Sequence, residues 1–224
     1  MDKGYESEEL CRACGGVCCK ANGCSLAPED MLRELARRRV EEERDEQNGA
    51  EQDSAEQNGA EQDSAEQDNA EQNSAEQNSA IRQEGLPGSE ELESWLRDSR
   101  CAIDSFTGQA GRCYYIRMRH KCFTFIGVDA MGECVALTEN GCSLPYARRP
   151  RGGRYLEGRQ DRRCLQHYTR EQMEEDWEPY QPILKEIWDR WHDRLENEGV
   201  FERCEEEYMR WQREKRQTAG GEWR

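Results

Sequence analysis

The chain has 224 residues, 34% hydrophobic and 36% charged, with a formal net charge of −16. That length holds one domain or two small ones around a modest core, and no run approaches the roughly eighteen apolar residues of a membrane span. The acidity is local: residues 41–80 carry 14 acidic side chains against Arg44 alone, a balance of −13, so the rest of the chain is nearly neutral.

Residues 1–10 (M-D-K-G-Y-E-S-E-E-L) lack the basic and apolar regions of an export signal, which predicts a reducing cytosol. In that compartment clustered thiols point to metal binding or redox chemistry rather than to structural disulfides. The cluster follows at once. Cys11, Cys14, Cys18, Cys19 and Cys24 stand in the run C-R-A-C-G-G-V-C-C-K-A-N-G-C. Gly15 and Gly16 let the backbone fold tightly behind Cys14 and aim N–H groups at the sulfurs.

Next comes S-L-A-P-E-D-M-L-R-E-L-A-R-R-R-V. Pro28 suits a first helical turn, Glu29 and Asp30 suit the positive end of its dipole, and the pattern predicts a helix over residues 28–44. From residue 46 to residue 80 the motif E-Q-x-x-A recurs seven times. A period of five fits neither helix nor strand, and alanine alone offers little to bury. The expectation is a disordered insert, with a fraying helix at its start as the alternative.

Leu86-Pro87-Gly88 marks a turn, and Leu92, Trp95 and Leu96 stripe a short helix from about Ser89. Residues 113–118 and 122–128 are aromatic and β-branched runs and read as strands. In the following G-E-C-V-A-L-T-E-N-G-C-S-L, Asn140-Gly141 signals a tight turn. A hairpin there brings Cys134 and Cys142 within reach of one metal. An arginine-rich loop runs on to Cys164. Its bland reading is screening of thiolate charge; the alternative, a grip on phosphate or nucleic acid, is the weaker one. Beyond it, Trp177, Tyr180, Leu184, Ile187, Trp188, Trp191 and Leu195 recur at helical spacing. Gly199 suits a helix end, and Phe201, Cys204, Tyr208 and Trp211 stripe a second helix.

Clustered thiolates serve Zn²⁺ or an iron–sulfur cluster equally well, since both need soft, deprotonated sulfur. Cys101, Cys113, Cys122 and Cys204 read as ordinary buried or surface thiols. Cys164-x2-His167 has usable ligand spacing, although a solvated histidine is the plainer reading; His120 and His192 are weaker still. No nucleophile triad, phosphate loop or dinucleotide fingerprint is visible.

The runs C-x2-C-G-G-x-C-C-K, G-C-S-L-x-P-E-D and C-V-A-L-T-E-N-G-C-S-L-P with Arg149-Pro150 resemble the YkgJ family of cysteine-cluster proteins. That family is mostly bacterial and is described as a zinc- or iron-chelating domain; the flagellin lysine N-methylases carry a similar cluster. The resemblance covers residues 10–38 and 114–180. It implies that Cys11, Cys14, Cys18, Cys19, Cys24, Cys134, Cys142 and Cys164 are ligands. Where relatives show R-P-x-x-C, this chain has Arg151-Gly152-Gly153, which leaves Cys164 as the nearest substitute.

The expectation is an α+β, cysteine-rich metal-binding domain with a short antiparallel sheet and flanking helices. A knuckle and helix (residues 1–45), the disordered repeat insert (46–80), the rest of the domain with its C-terminal helices (81–216) and a disordered tail (217–224) make up the chain. Its cofactor is Zn²⁺, iron or an iron–sulfur cluster, with a structural or sensing role; the alternative is an iron–sulfur oxidoreductase or a methylase-like enzyme. Its partner is the metal ion, with no membrane, with nucleic acid only as the weaker alternative and with protein partners left open, and its place is the cytoplasm.

Overall fold

The computed structural model describes residues 9, 24–55, 86–127, 132–160 and 164–218. The contacts divide the chain into two units, Met1–Asp30 with Gly88–Arg224, and Met31–Pro87. No helix among the described residues is long and apolar enough to cross a membrane.

The first helix, α1 (Pro28–Ala55), begins in one unit and continues through the other. In the second unit its exposed turns carry ion pairs at helical spacing: Glu34–Arg37 at 2.8 Å, Arg37–Glu41 at 3.3 Å and Arg38–Glu42 at 2.7 Å. The helix continues past the expected end at residue 44 and takes in the first two E-Q-x-x-A repeats. Extending an existing helix fixes one residue per hydrogen bond, without the cost of nucleation, and Glu, Gln and Ala are good formers. Residues 46–55 thus take the helical alternative at the start of the insert, and residues 217–218 of the expected disordered tail are helical as well; the remaining repeats and residues 219–224 lie outside the described residues.

The larger unit mixes helices with short antiparallel ladders. Helix α2 (Ser89–Asp98) buries Leu92, Trp95 and Leu96 as the stripe predicted. Strands β1 (Cys101–Thr107) and β2 (Arg112–Met118) form a hairpin with Cys101 opposite Met118 and Thr107 opposite Arg112. Residues 24–26 lie along the other edge of β2, where Ser25 bridges Arg117. The expected strand over residues 122–128 is not formed among the described residues 122–127. A turn closed by Phe123 N–H on the His120 carbonyl (3.3 Å) redirects the chain, and only Ile126 bridges back, to Ile103. Beyond it lie β3 (Leu137–Thr138) and β4 (Gly141–Cys142), joined as the Asn-Gly signal predicted, with Gly141 at φ 99°.

The short α3 (Arg151–Arg154) precedes the β5 (Leu156–Glu157) and β6 (Leu165–Gln166) ladder. Helix α4 (Arg170–Trp177) opens on a capping box in which Thr169 and Gln172 bond reciprocally. A 3₁₀ turn leads into α5 (Gln181–Asn197), which ends before Gly199 at φ 64°, and α6 (Val200–Thr218) follows. The core of this unit joins Ile103 and Ile116 of the hairpin to Trp177, Leu184 and Ile187, all essentially inaccessible.

Candidate metal centre

Residues 24–26, where the chain leaves the N-terminal cysteine run, are fixed by backbone bonds. Met118 N–H donates to the Cys24 carbonyl and Leu26 N–H to the Ile116 carbonyl, both at 2.8 Å. Cys24 thus stands at a set register on the edge of β2. The next residues start α1 with reciprocal bonds: Ala27 N–H donates to the Asp30 carboxylate (3.0 Å) and Asp30 N–H to the Ala27 carbonyl (2.9 Å). Trp177 Nε1 donates to the Leu26 carbonyl at 3.1 Å, tying the same turn to α4.

Asp30 does more than favour the helix dipole. Its buried carboxylate also accepts from Arg151 N–H (2.6 Å) and Arg154 Nη1 (3.2 Å), more than a hundred residues along the chain. The arginine-rich loop is thereby clamped to the start of α1, and Gly152 N–H donates to the Ser25 carbonyl at 2.9 Å. Its two glycines are there for close approach. A Cβ on Gly152 would lie 2.8 Å from the Ser25 backbone, and one on Gly153 would lie 2.8 Å from Cys24 Sγ. Arg151 also pairs with Asp176 (2.8 Å), and Arg149 is buried with its Nε donating to the Leu144 carbonyl (3.0 Å). These arginines are engaged inside the protein, which leaves little of them for an external polyanion.

The second half of the site is built on β3 and β4. Cys142 pairs with Leu137, and Leu137 N–H donates to the Cys134 carbonyl at 2.9 Å, which folds Cys134 back over the hairpin. His120 bridges Cys134 from beyond the end of β2. The Cys134 thiol is buried and accepts a hydrogen bond from Ala136 N–H at 3.4 Å. Burial pushes its pKa up and the neighbouring Cys142 adds to this, against the Ala136 N–H and the charges of Arg117 and Lys121. A bound cation would reverse the balance: it replaces the lost hydration and releases the protons.

The structure therefore brings Cys134 and Cys142 together. Cys24 and Cys164 flank one turn: Cys24 lies against Gly153, and Cys164 precedes Gln166, whose side chain donates to the Gly152 carbonyl at 3.0 Å. Arg149 joins that turn to Leu144, two residues past Cys142. Cys11, Cys14, Cys18 and Cys19 lie outside the described residues. No disulfide links any two of the described cysteines.

The donors fit a thiophilic metal: soft sulfur, an N–H on one thiol, and cations nearby to offset thiolate charge. His167 bonds the Glu157 carboxylate at 2.8 Å, a plain hydrogen-bonding role for it. Sequence reading underrated His120, which is 2% exposed opposite Cys134, and saw only the dipole in Asp30. The P-E-D start with an arginine-rich loop downstream was the signal for the Asp30 clamp. His192, Asp193 and Glu196 also cluster on α5, but on its solvent side with oxygen-rich donors.

Comparison with family models, curated proteins and solved structures finds no match.

Proposed function

We propose that this protein chelates zinc or iron, the latter as an ion or an iron–sulfur cluster, through Cys11, Cys14, Cys18, Cys19, Cys24, Cys134, Cys142 and Cys164. Its role is structural or sensing, in the cytoplasm. The observation that carries this reading is the buried Cys134 thiol, held beside Cys142 by a two-residue ladder and given an N–H by Ala136. A buried thiol whose proton affinity is raised by burial and by a neighbouring thiol gains most from a cation beside it. The resemblance to the YkgJ family points the same way. When bound, the metal supplies cross-links between segments distant in sequence. The chain's own residues set the register of Cys24, orient Cys134 and place Arg117 and Lys121 where they moderate the thiolate charge.

The test is elemental analysis with a visible spectrum of protein purified without oxygen. Bound zinc with no colour supports a thiolate ion site, and iron with sulfide and broad visible absorbance supports a cluster. Protein that leaves purification and reconstitution with neither metal refutes the proposal.

A further inference from the structure

Helix α6 docks through a stripe at helical spacing, and the stripe has a thiol in it. The Tyr208 ring lies 5.9 Å from that of Phe123, and Lys121 Nζ lies 5.2 Å from the centre of Trp211. At the far end Lys215 donates to Glu133 (2.8 Å), which also accepts from Lys121 (3.3 Å). These contacts fix the register of α6 against the turn at residues 120–123. Cys204 sits one helical turn before Tyr208, and Cys122 sits between the two turn residues that α6 covers.

Cys122 has φ 67°, the only positive value at a non-glycine position among the described residues. A glycine would relieve that conformation, so the position carries a thiol at a cost in backbone strain. Both thiols are half-buried, neither is joined in a disulfide, and neither belongs to the ligand set above. Their charges meet. Burial raises the Cys204 pKa, and Glu207 and Cys122 raise it further against Arg203. Burial and Glu207 raise that of Cys122 against Lys121.

We propose that Cys122 and Cys204 are a redox-active thiol pair whose oxidation to a disulfide fastens α6 to the turn at residues 120–123. The oxidant is a low-molecular-weight disulfide such as oxidised glutathione. One cysteine thiolate attacks a glutathione sulfur; the S–S bond breaks and one glutathione thiolate leaves. The second cysteine thiolate attacks the protein sulfur of the mixed disulfide and expels the other glutathione. The protein gives up two protons and two electrons, and oxidised glutathione becomes two reduced molecules. Because Glu207 and burial hold both groups as thiols, the closure accelerates as pH rises. The pair stands independently of the proposed metal centre.

The experiment exposes the reduced full-length protein to oxidised glutathione, blocks remaining thiols by alkylation, and maps peptides by mass spectrometry. The expected result is a Cys122–Cys204 linked peptide that dithiothreitol removes. Amide exchange in α6 should then slow by about tenfold in the linked form. Cys122→Ser and Cys204→Ser should each abolish the link and leave the melting transition cooperative. The proposal is overturned if both thiols stay alkylatable, if they end as separate glutathione adducts, or if either pairs with a different cysteine. The mapping on unaltered protein decides the matter even if a variant folds poorly.

Discussion

At the scale of single residues, adjacent glycines carry different duties. The missing Cβ of Gly152 clears backbone atoms of Ser25, whereas that of Gly153 clears the mobile end of the Cys24 side chain. Gly152→Ala should therefore cost stability, on the order of 1–3 kcal/mol, because backbone must shift. Gly153→Ala should leave the melting temperature of the metal-free protein nearly unchanged and push the Cys24 thiol out of place, weakening metal binding by about tenfold or more. Thermal melts beside competition with a chromophoric chelator separate the two. Equal loss of stability in both variants would show that the turn has no special relation to Cys24.

At the scale of elements, one carboxylate holds the tip of the β1–β2 hairpin. Glu174 of α4 accepts from the N–H groups of Gln109 and Ala110, each at 3.0 Å, and a Cβ on Gly108 would strike its carboxylate. Those N–H bonds hold its pKa below the ordinary carboxylate value. The sign follows: the contribution is present above the unfolded pKa and is lost as pH falls through the lowered folded one. The hydrogen-exchange protection factors of Gln109 and Ala110, taken relative to the intrinsic rate at each pH, should fall in acid and, at neutral pH, in Glu174→Gln; unchanged protection would contradict the clamp. The sequence made this side of the fold hard to read. The stripe of α2, the Asn-Gly turn and Gly199 were legible because each has a local cause. Strand β1 was not, because Asp104 and Ser105 break its apolar pattern; in the fold Asp104 pairs with buried Arg117. The run at residues 122–128 has strand composition, but Cys122 takes a turn conformation that its side chain does not advertise. Cys24 is tied to the Arg149–Gly153 loop through Asp30 and the Ser25 carbonyl, contacts no spacing rule contains.

At the scale of the whole molecule, residues 25–30 are held to the turn at residues 151–154 and to Trp177 in one unit through Asp30, Ser25 and Leu26. Replacing residues 56–80 by a short Gly-Ser linker should leave metal stoichiometry unchanged, since loop closure depends weakly on length; loss of metal in that protein would give the repeats a structural role. Chelation should lower and broaden the melting transition, because a multi-thiolate site contributes directly to folding in a chain with a modest core. The central claim is that the two halves of the sequence build one centre or two adjoining ones. Metal content per chain, measured by elemental analysis for the unaltered protein, Cys24→Ser and Cys142→Ser, tests it most directly. The account predicts bound metal in the first and a matching loss in both variants. Retention of the full complement in either variant, or no metal in the unaltered protein, would contradict it.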